Sequence, residues 1–128
     1  AIQVLTSRSA SVPTLIFDEV DVGIGGGVAE IVGRLLRELG GERQVLCVTH
    51  LPQVAARAEW QWQVSKATRD GVTLSSIQPL DDERRVCEIA RMLGGVEVTD
   101  ITLAHAGELL HPKGASLGAR STPENVQK

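Results

Sequence analysis

The sequence predicts an α/β fold, with a parallel sheet and helical crossovers in its first half and a hairpin and further helices behind it. Three observations carry that prediction. Leu15-Ile-Phe17 is an apolar run that stops abruptly at two carboxylates, Asp18 and Glu19. A buried parallel strand looks like this where it reaches the ligand-binding edge of an open sheet. A second apolar run, Gln44 to Thr49, ends on His50. A helical stripe lies between them, and strand–helix–strand alternation argues for parallel neighbours joined by a crossover.

Taken in order, residues 1–8 read as the last turns of a helix and Ser9 to Pro13 as a loop, because small polar residues and Pro13 break helical periodicity. Leu15 to Asp18 is the first strand. Val22 to Gly27 holds four glycines in six residues and reads as a turn. A helix follows from Gly26 to Leu39, with Val28, Ile31, Val32, Leu35, Leu36 and Leu39 at helical spacing. Glu30 and Arg34 are expected to pair on its outer face, and Gly40-Gly41 to stop it. Gln44 to Thr49 is the second strand, and Pro52 opens a short helix, where its missing N–H costs nothing. From Trp60 to Lys66, Trp60, Trp62 and Val64 alternate with Gln61, Gln63 and Ser65, a strand pattern. The turn signal Asp70-Gly71 returns it as Val72 to Leu80. Asp81 or Asp82 caps a helix carrying Val86, Ile89, Ala90 and Leu93, which ends at Gly94-Gly95, and Thr99 caps a last helix to about Leu110. From His111 the chain is polar and aperiodic. The expected organisation is one lobe over 1–110 and a mobile tail over 111–128.

A length of 128 residues suits one domain or part of one. The net charge of −3 gives no bulk electrostatic case for gripping nucleic acid. Phe17, Trp60 and Trp62 are the only aromatics, too few for a base-stacking platform. Cys47 in a strand and Cys87 in a helix read as reduced thiols rather than a secreted disulfide framework. No apolar stretch approaches the ~20 residues of a membrane span, and no secretory leader is visible. A cytoplasmic location is the expectation. The sequence opens at Ala1 in what reads as a helix end, so it is expected to be part of something longer.

Asp18 and Glu19 are the first candidates for chemistry. Neighbouring strand residues point to opposite faces, so one acid can sit near a divalent cation while the other orients or deprotonates a water. Phosphoryl transfer needs this division of labour. The same pair also suits a solvated strand end. His50 lies one crossover away, where an imidazole can donate to a terminal phosphate oxygen. Direct metal ligation by Asp18, Glu19, Asp21 and His50 is a weaker reading, because zinc asks for better-spaced His or Cys ligands. Arg84, Arg85 and Arg91 lie among Asp81, Asp82, Glu83 and Glu88 and read as a solvated mixed-charge face. Trp60 and Trp62 read as core or interface. No G-x-x-x-x-G-K-[ST] pattern occurs in these residues, so nothing here cradles β and γ phosphates.

Leu15-Ile-Phe-Asp-Glu19 resembles the Walker B motif of ABC ATPases. Val20 to Gly26 stands where those proteins have a D-loop, and Thr49-His50 where they have a switch histidine. Many ABC proteins carry an Asp where this chain has Gly25 or a neighbour. The longer strings Phe17-Asp-Glu-Val-Asp-Val-Gly-Ile-Gly-Gly26, Val48-Thr-His-Leu-Pro-Gln-Val-Ala55 and Ile89-Ala-Arg-Met-Leu-Gly-Gly95 together resemble the RecN family of SMC-like bacterial DNA-repair proteins over about residues 1–110.

That resemblance implies an incomplete P-loop NTPase sheet of the ABC/SMC-head type. It implies the C-terminal half of an ATP-hydrolysing head acting in DNA double-strand-break repair and recombination, with ATP and Mg²⁺ as cofactors. Asp18 would support Mg²⁺ through water, Glu19 would be the general base and His50 would contact the γ-phosphate. Gly23, Gly25, Gly26 and Gln53 would line the nucleotide. The implied partners are the N-terminal half of the same head, a second head in an ATP-dependent homodimer, and DNA, with no membrane and a nucleoid-associated location. The resemblance also implies a Walker A strand between the His strand and the Trp60–Lys66 strand. Its absence here would leave a gap lined by Leu46, Val48, Trp62 and Val64, and an isolated chain that is marginally stable and inactive. The alternatives are a head of another SMC-like or ABC protein, or a non-catalytic interaction domain.

Overall fold

The computed structural model describes residues 12–95 and 97–112. The elements are β1 (Thr14–Phe17), α1 (Gly26–Gly40), β2 (Gln44–Cys47), α2 (Pro52–Ala55), β3 (Trp62–Arg69), β4 (Val72–Pro79), α3 (Asp82–Gly94) and α4 (Asp100–Leu110). This is the alternation the sequence predicts. The helix expected over 1–8, most of the loop after it and the tail beyond 112 lie outside the described residues.

β1 and β2 pair in parallel, with Thr14 opposite Gln44 and Phe17 opposite Cys47. The ladder is extended by Gln44 N–H to Pro13 O (3.0 Å) and Val48 N–H to Phe17 O (2.8 Å). Both strands are shorter than the sequence suggests. Asp18 lies past the end of β1, and Val48 and Thr49 past the end of β2, because the chain turns away at Glu19 on one side and at Thr49-His50 on the other. One face of the pair, Leu15, Phe17, Val45 and Cys47, packs into a cluster with Ala29, Val32, Leu36 and Leu39 of α1 and with Val54. The opposite face, Ile16, Leu46 and Val48, is exposed.

The buried side of α1 is Ala29, Val32, Gly33, Leu36 and Leu39. Val28 and Ile31, part of the predicted stripe, are about half exposed (50% and 48%). Val32, Leu36 and Leu39 of that stripe are buried as predicted and Leu35 packs against them, while Ala29 joins the inner side and so does Gly33. A Cβ built there would lie 2.9 Å from Arg57 Cγ and 3.1 Å from the Gln53 carbonyl, so α2 and the chain after it approach α1 at backbone distance. Glu30 does not pair with Arg34. It accepts from Arg57 Nη2 at 2.8 Å, while Arg37 donates to the Arg57 carbonyl at 3.0 Å. α2 is a single turn, yet it joins two cores. Val54 belongs to the β1–β2–α1 cluster, whereas Ala55 and Ala56 pack with Ile89, Ala90 and Ala106 of α3 and α4.

β3 and β4 form an antiparallel hairpin with Trp62 opposite Pro79 and Arg69 opposite Val72. Its two turn residues, Asp70 (φ 51°) and Gly71 (φ 77°), are both left-handed, as a two-residue type I′ turn demands. The hairpin and the β1–β2 pair are separate sheets. The apolar side of the hairpin, Trp62, Val64 and Ile77, is more than 60% exposed, and Trp60, which precedes β3, is exposed too. Placing Trp60 and Trp62 in a core therefore fails within this chain. It is the polar side that meets α3, where Gln63 Nε2 donates to Glu88 Oε2 at 2.7 Å. Leu46, Val48, Trp62 and Val64, the residues expected to line a gap, are all exposed.

α3 is capped by Asp81, which accepts from Arg84 N–H (2.8 Å), and α4 by a Thr99–Thr102 capping box. The α3 charges are not merely solvated. Arg85 is half-buried and donates to the carbonyls of Ala58 (2.8 Å) and Glu59 (3.3 Å). The buried Glu88 is held by both Nε and Nη2 of Arg91. Arg84, paired with Asp81, does fit the solvated reading.

The α1–α2 approach makes a test. Gly33→Ala gains about 1 kcal/mol of helix propensity but overpacks a contact whose neighbours include backbone, at a cost of about 2 kcal/mol. The expected result in urea unfolding is a net loss of about 1 kcal/mol. Gly27→Ala, which meets nothing within 4 Å, should be neutral or stabilising.

Candidate functional site

The buried Phe17 ends β1, and the next two residues leave the sheet exposed. Glu19 has φ 54°, a left-handed conformation uncommon for a non-glycine residue. Backbone strain of this kind concentrates at functional sites. Both acids lie past the end of β1, so strand alternation does not govern them, and Glu19 sits at a left-handed kink. The turn continues with Val22 N–H to Glu19 O and Ile24 N–H to Asp21 O, both 3.3 Å, and passes Gly23 (φ 75°). Gly25 is the extended N-cap of α1, and Gly26 (φ 53°) its first residue.

Asp21 is the buried member of this turn, only 3% exposed. Its Oδ2 accepts from Thr49 Oγ1 (2.5 Å) and His50 N–H (2.8 Å), and His50 Nδ1 lies 3.1 Å away. The Thr49 hydroxyl in turn accepts from Leu51 N–H (3.0 Å), the residue that caps α2. Burial by itself pushes the Asp21 carboxyl up. The Thr49 hydroxyl, the His50 and Asp21 backbone N–H groups and the His50 ring together outweigh it and hold the carboxyl below the usual value. Nearby, burial and then the charges of Asp21 and Asp18 push the half-buried Cys47 thiol up to about 11.

The sequence reading brought His50 close to the acid turn, and the structure does so through Asp21. The His50 side chain is 76% exposed, and it is the backbone N–H that bonds Asp21. Asp18, Glu19, Gly23, Gly25 and Gly26 are all exposed, and Gln53 is half-buried on α2. Among the described residues no three His, Cys, Asp or Glu side chains converge on a metal position, so Asp18, Glu19, Asp21 and His50 do not assemble as direct ligands. An open depression of about 370 Å³ is lined by Arg34, Arg37, Glu38, Gly41 and Arg57 and includes none of the site residues. The acids and His50 thus occupy an open edge. Sequence reasoning gave Thr49 no role of its own and Asp21 only a weak one. The available signal was an acid inside the otherwise apolar and glycine run Val20 to Ile24, where a buried charge needs partners.

Two measurements follow from this geometry. A depressed folded-state value means that Asp21 contributes stability fully above the ordinary carboxylate value of 3.8. That contribution is lost as pH falls through the lower folded value. Stability against pH should therefore show an acid loss that shrinks in Asp21→Ala, read as urea midpoints between about pH 2 and 6. In native protein near pH 8, iodoacetamide should modify exposed Cys87, while Cys47 stays unmodified until the chain unfolds. Peptide mass spectrometry reads both.

No family model matches the chain. The DNA repair protein RecN of Vibrio cholerae is 56% identical to it over 110 residues, and that of Haemophilus influenzae 54%. RecN of Bacillus subtilis is 46% identical over the same number. Each match covers 86% of this chain but only 19–20% of the relative, so the chain spans about a fifth of the length of these relatives. A solved chain from work on ATP-driven dimerization and DNA-stimulated activation of SMC ATPases shares the fold. Its TM-score is 0.52 at 24% identity, covering 67% of this chain and 52% of that one. At 46–56% identity over 110 residues, the chain belongs to the RecN family and corresponds to about a fifth of such a protein.

Proposed function

We propose that this chain is the C-terminal half of an ATP-hydrolysing head of P-loop NTPase type, working in a RecN protein that repairs DNA double-strand breaks. The observation that carries the reading is the meeting of the acid turn and the His50 strand tip at one exposed sheet edge, joined by Asp21. The site is open because its other wall, the phosphate cradle, belongs to the N-terminal half of the head.

The exposed apolar residues support the same reading. A parallel pair is ordinarily covered on both faces, yet Ile16, Leu46 and Val48 lie open, as does the Trp62–Val64–Ile77 side of the hairpin. Both surfaces suit burial by the rest of the head, with the missing strand filling the space between the two sheets. Among the described residues no helix is long and apolar enough to cross a membrane.

Glu19 orients and deprotonates the attacking water, and its kinked, exposed position leaves the carboxylate free for that task. Asp18 offers a single free carboxylate, which fits Mg²⁺, an ion that takes one or two carboxylates and completes its shell with phosphate oxygens and water. When bound, Mg²⁺ neutralises charge on the transferring phosphoryl group. His50 reaches the γ-phosphate, and Gly23, Gly25, Gly26 and Gln53 form the near wall. A second head closes over the nucleotide, coupling hydrolysis to DNA engagement.

The test is ATP turnover by the full-length protein and its variants. Glu19→Gln should lower kcat by at least 100-fold while retaining ATP and accumulating closed dimers, and Asp18→Ala should abolish Mg²⁺-dependent turnover. Parental turnover in Glu19→Gln would remove the base assignment.

A further inference from the structure

Val48 N–H to Phe17 O, at 2.8 Å, is the last rung between the two parallel strands. Beyond it, the Thr49 hydroxyl and the Asp21 carboxylate tie the acid turn to the start of α2. What each group can do fixes the direction of these bonds. A threonine hydroxyl has one proton and two lone pairs, whereas an ionised carboxylate only accepts. The Thr49 proton therefore goes to Asp21 Oδ2 (2.5 Å), and the same hydroxyl oxygen accepts from Leu51 N–H (3.0 Å). The His50 N–H reaches that carboxylate oxygen independently (2.8 Å). Asp21 is only 3% exposed, so bulk water does not stand in for a missing hydroxyl. Glu19 lies two residues before Asp21, and Val22 N–H bonds its carbonyl (3.3 Å). Its left-handed backbone (φ 54°) is a conformation that persists where the surroundings hold it.

We propose that Thr49 is a positioning residue for Glu19: its hydroxyl pins Asp21 to the start of α2 and thereby holds the turn that places the Glu19 carboxylate at the sheet edge. This rests on the nucleotide-hydrolysing reading above, and adds to it a residue that acts without touching the nucleotide. Both halves of the hydroxyl's chemistry are used, the donor toward Asp21 and the acceptor toward Leu51. Serine keeps both. Valine has the shape of threonine with neither, so it cuts the tie between the acid turn and Leu51. A base displaced from its water costs turnover more than it costs ATP binding, since the phosphate cradle lies elsewhere.

The experiment measures ATP turnover by the full-length protein carrying Thr49→Val or Thr49→Ser. Thr49→Val should lower kcat on the order of 10- to 100-fold with KM within about 3-fold of the parent. Thr49→Ser should keep kcat within about 3-fold. The discriminating measurement repeats Thr49→Val in a Glu19→Gln background, read as single-turnover hydrolysis. With no base left to place, the residual rate should fall no further, whereas a merely structural role lowers both backgrounds alike. An equal loss in the two backgrounds overturns the proposal. So does parental kcat in Thr49→Val with Glu19→Gln inactive, and that result leaves the hydrolysis reading intact. Should Thr49→Val fail to fold, Thr49→Ser decides: parental kcat supports the proposal, and a loss of about 10-fold or more at parental KM overturns it. Parental kcat in Glu19→Gln removes the hydrolysis reading, and this inference with it.

Discussion

Much of this structure depends on one carboxylate oxygen. Asp21 Oδ2 gathers the Thr49 hydroxyl, the His50 N–H and the His50 ring, and through Thr49 it reaches Leu51 at the start of α2. The acid turn follows β1 and the Thr-His pair follows β2, so these bonds join two strand tips that the β ladder no longer connects. Burying a charge costs several kcal/mol unless hydrogen bonds replace its water. Here the replacement is good enough to hold the carboxyl below its usual value despite burial. The outcome is a fixed edge from which Asp18, Glu19 and His50 project.

From that edge the chain is held inward by a helix of one turn. α2 meets α1 where Gly33 allows backbone approach, and it contributes to both apolar clusters. Charged groups reinforce the same junction. Arg57 bonds Glu30, Arg37 bonds the Arg57 carbonyl, and Arg85 bonds the carbonyls of Ala58 and Glu59. Burial lowers the Arg85 guanidinium, with Asp82 opposing that effect. Such a desolvated Arg acts here as a fork for main-chain oxygens that no helix or strand satisfies. The region between the clusters is thus a polar joint laid over a small apolar one.

The two sheets are incomplete in complementary ways. The β1–β2 pair has one face packed on α1 and one open. The hairpin turns its polar side, through Gln63 and Glu88, toward α3 and its apolar side outward. Exposed patches of this kind mark interfaces. Burial of these two faces is what the proposed function assigns to the rest of the protein.

The sequence by itself determined the order of the described elements, the Thr99 cap on α4, the α3 cap to within Asp81 or Asp82, the Asp70-Gly71 hairpin turn and the candidate acids, because these follow from local periodicity, capping chemistry and backbone preference. The family resemblance, not the residue pattern, implied that Trp62, Val64, Leu46 and Val48 would lie open, as they do; the pattern alone put Trp62 in a core or interface. Tertiary structure decided the rest. The predicted stripe of α1 is buried at Val32, Leu36 and Leu39, but the close approach at Gly33 was decided by the fold, with Val28 and Ile31 left half exposed. Glu30 found Arg57 across space in preference to Arg34 on its own helix. The supposedly solvated α3 face became a joint because Arg85 and Glu88 met groups distant in sequence. Asp21 read as one of three acids in a weak ligand set with His50, and only the folding of two strand tips side by side made it the acceptor for the Thr49 hydroxyl and the His50 N–H. Local rules act over a few residues, whereas a buried charge is satisfied by whatever the fold brings within about 3 Å.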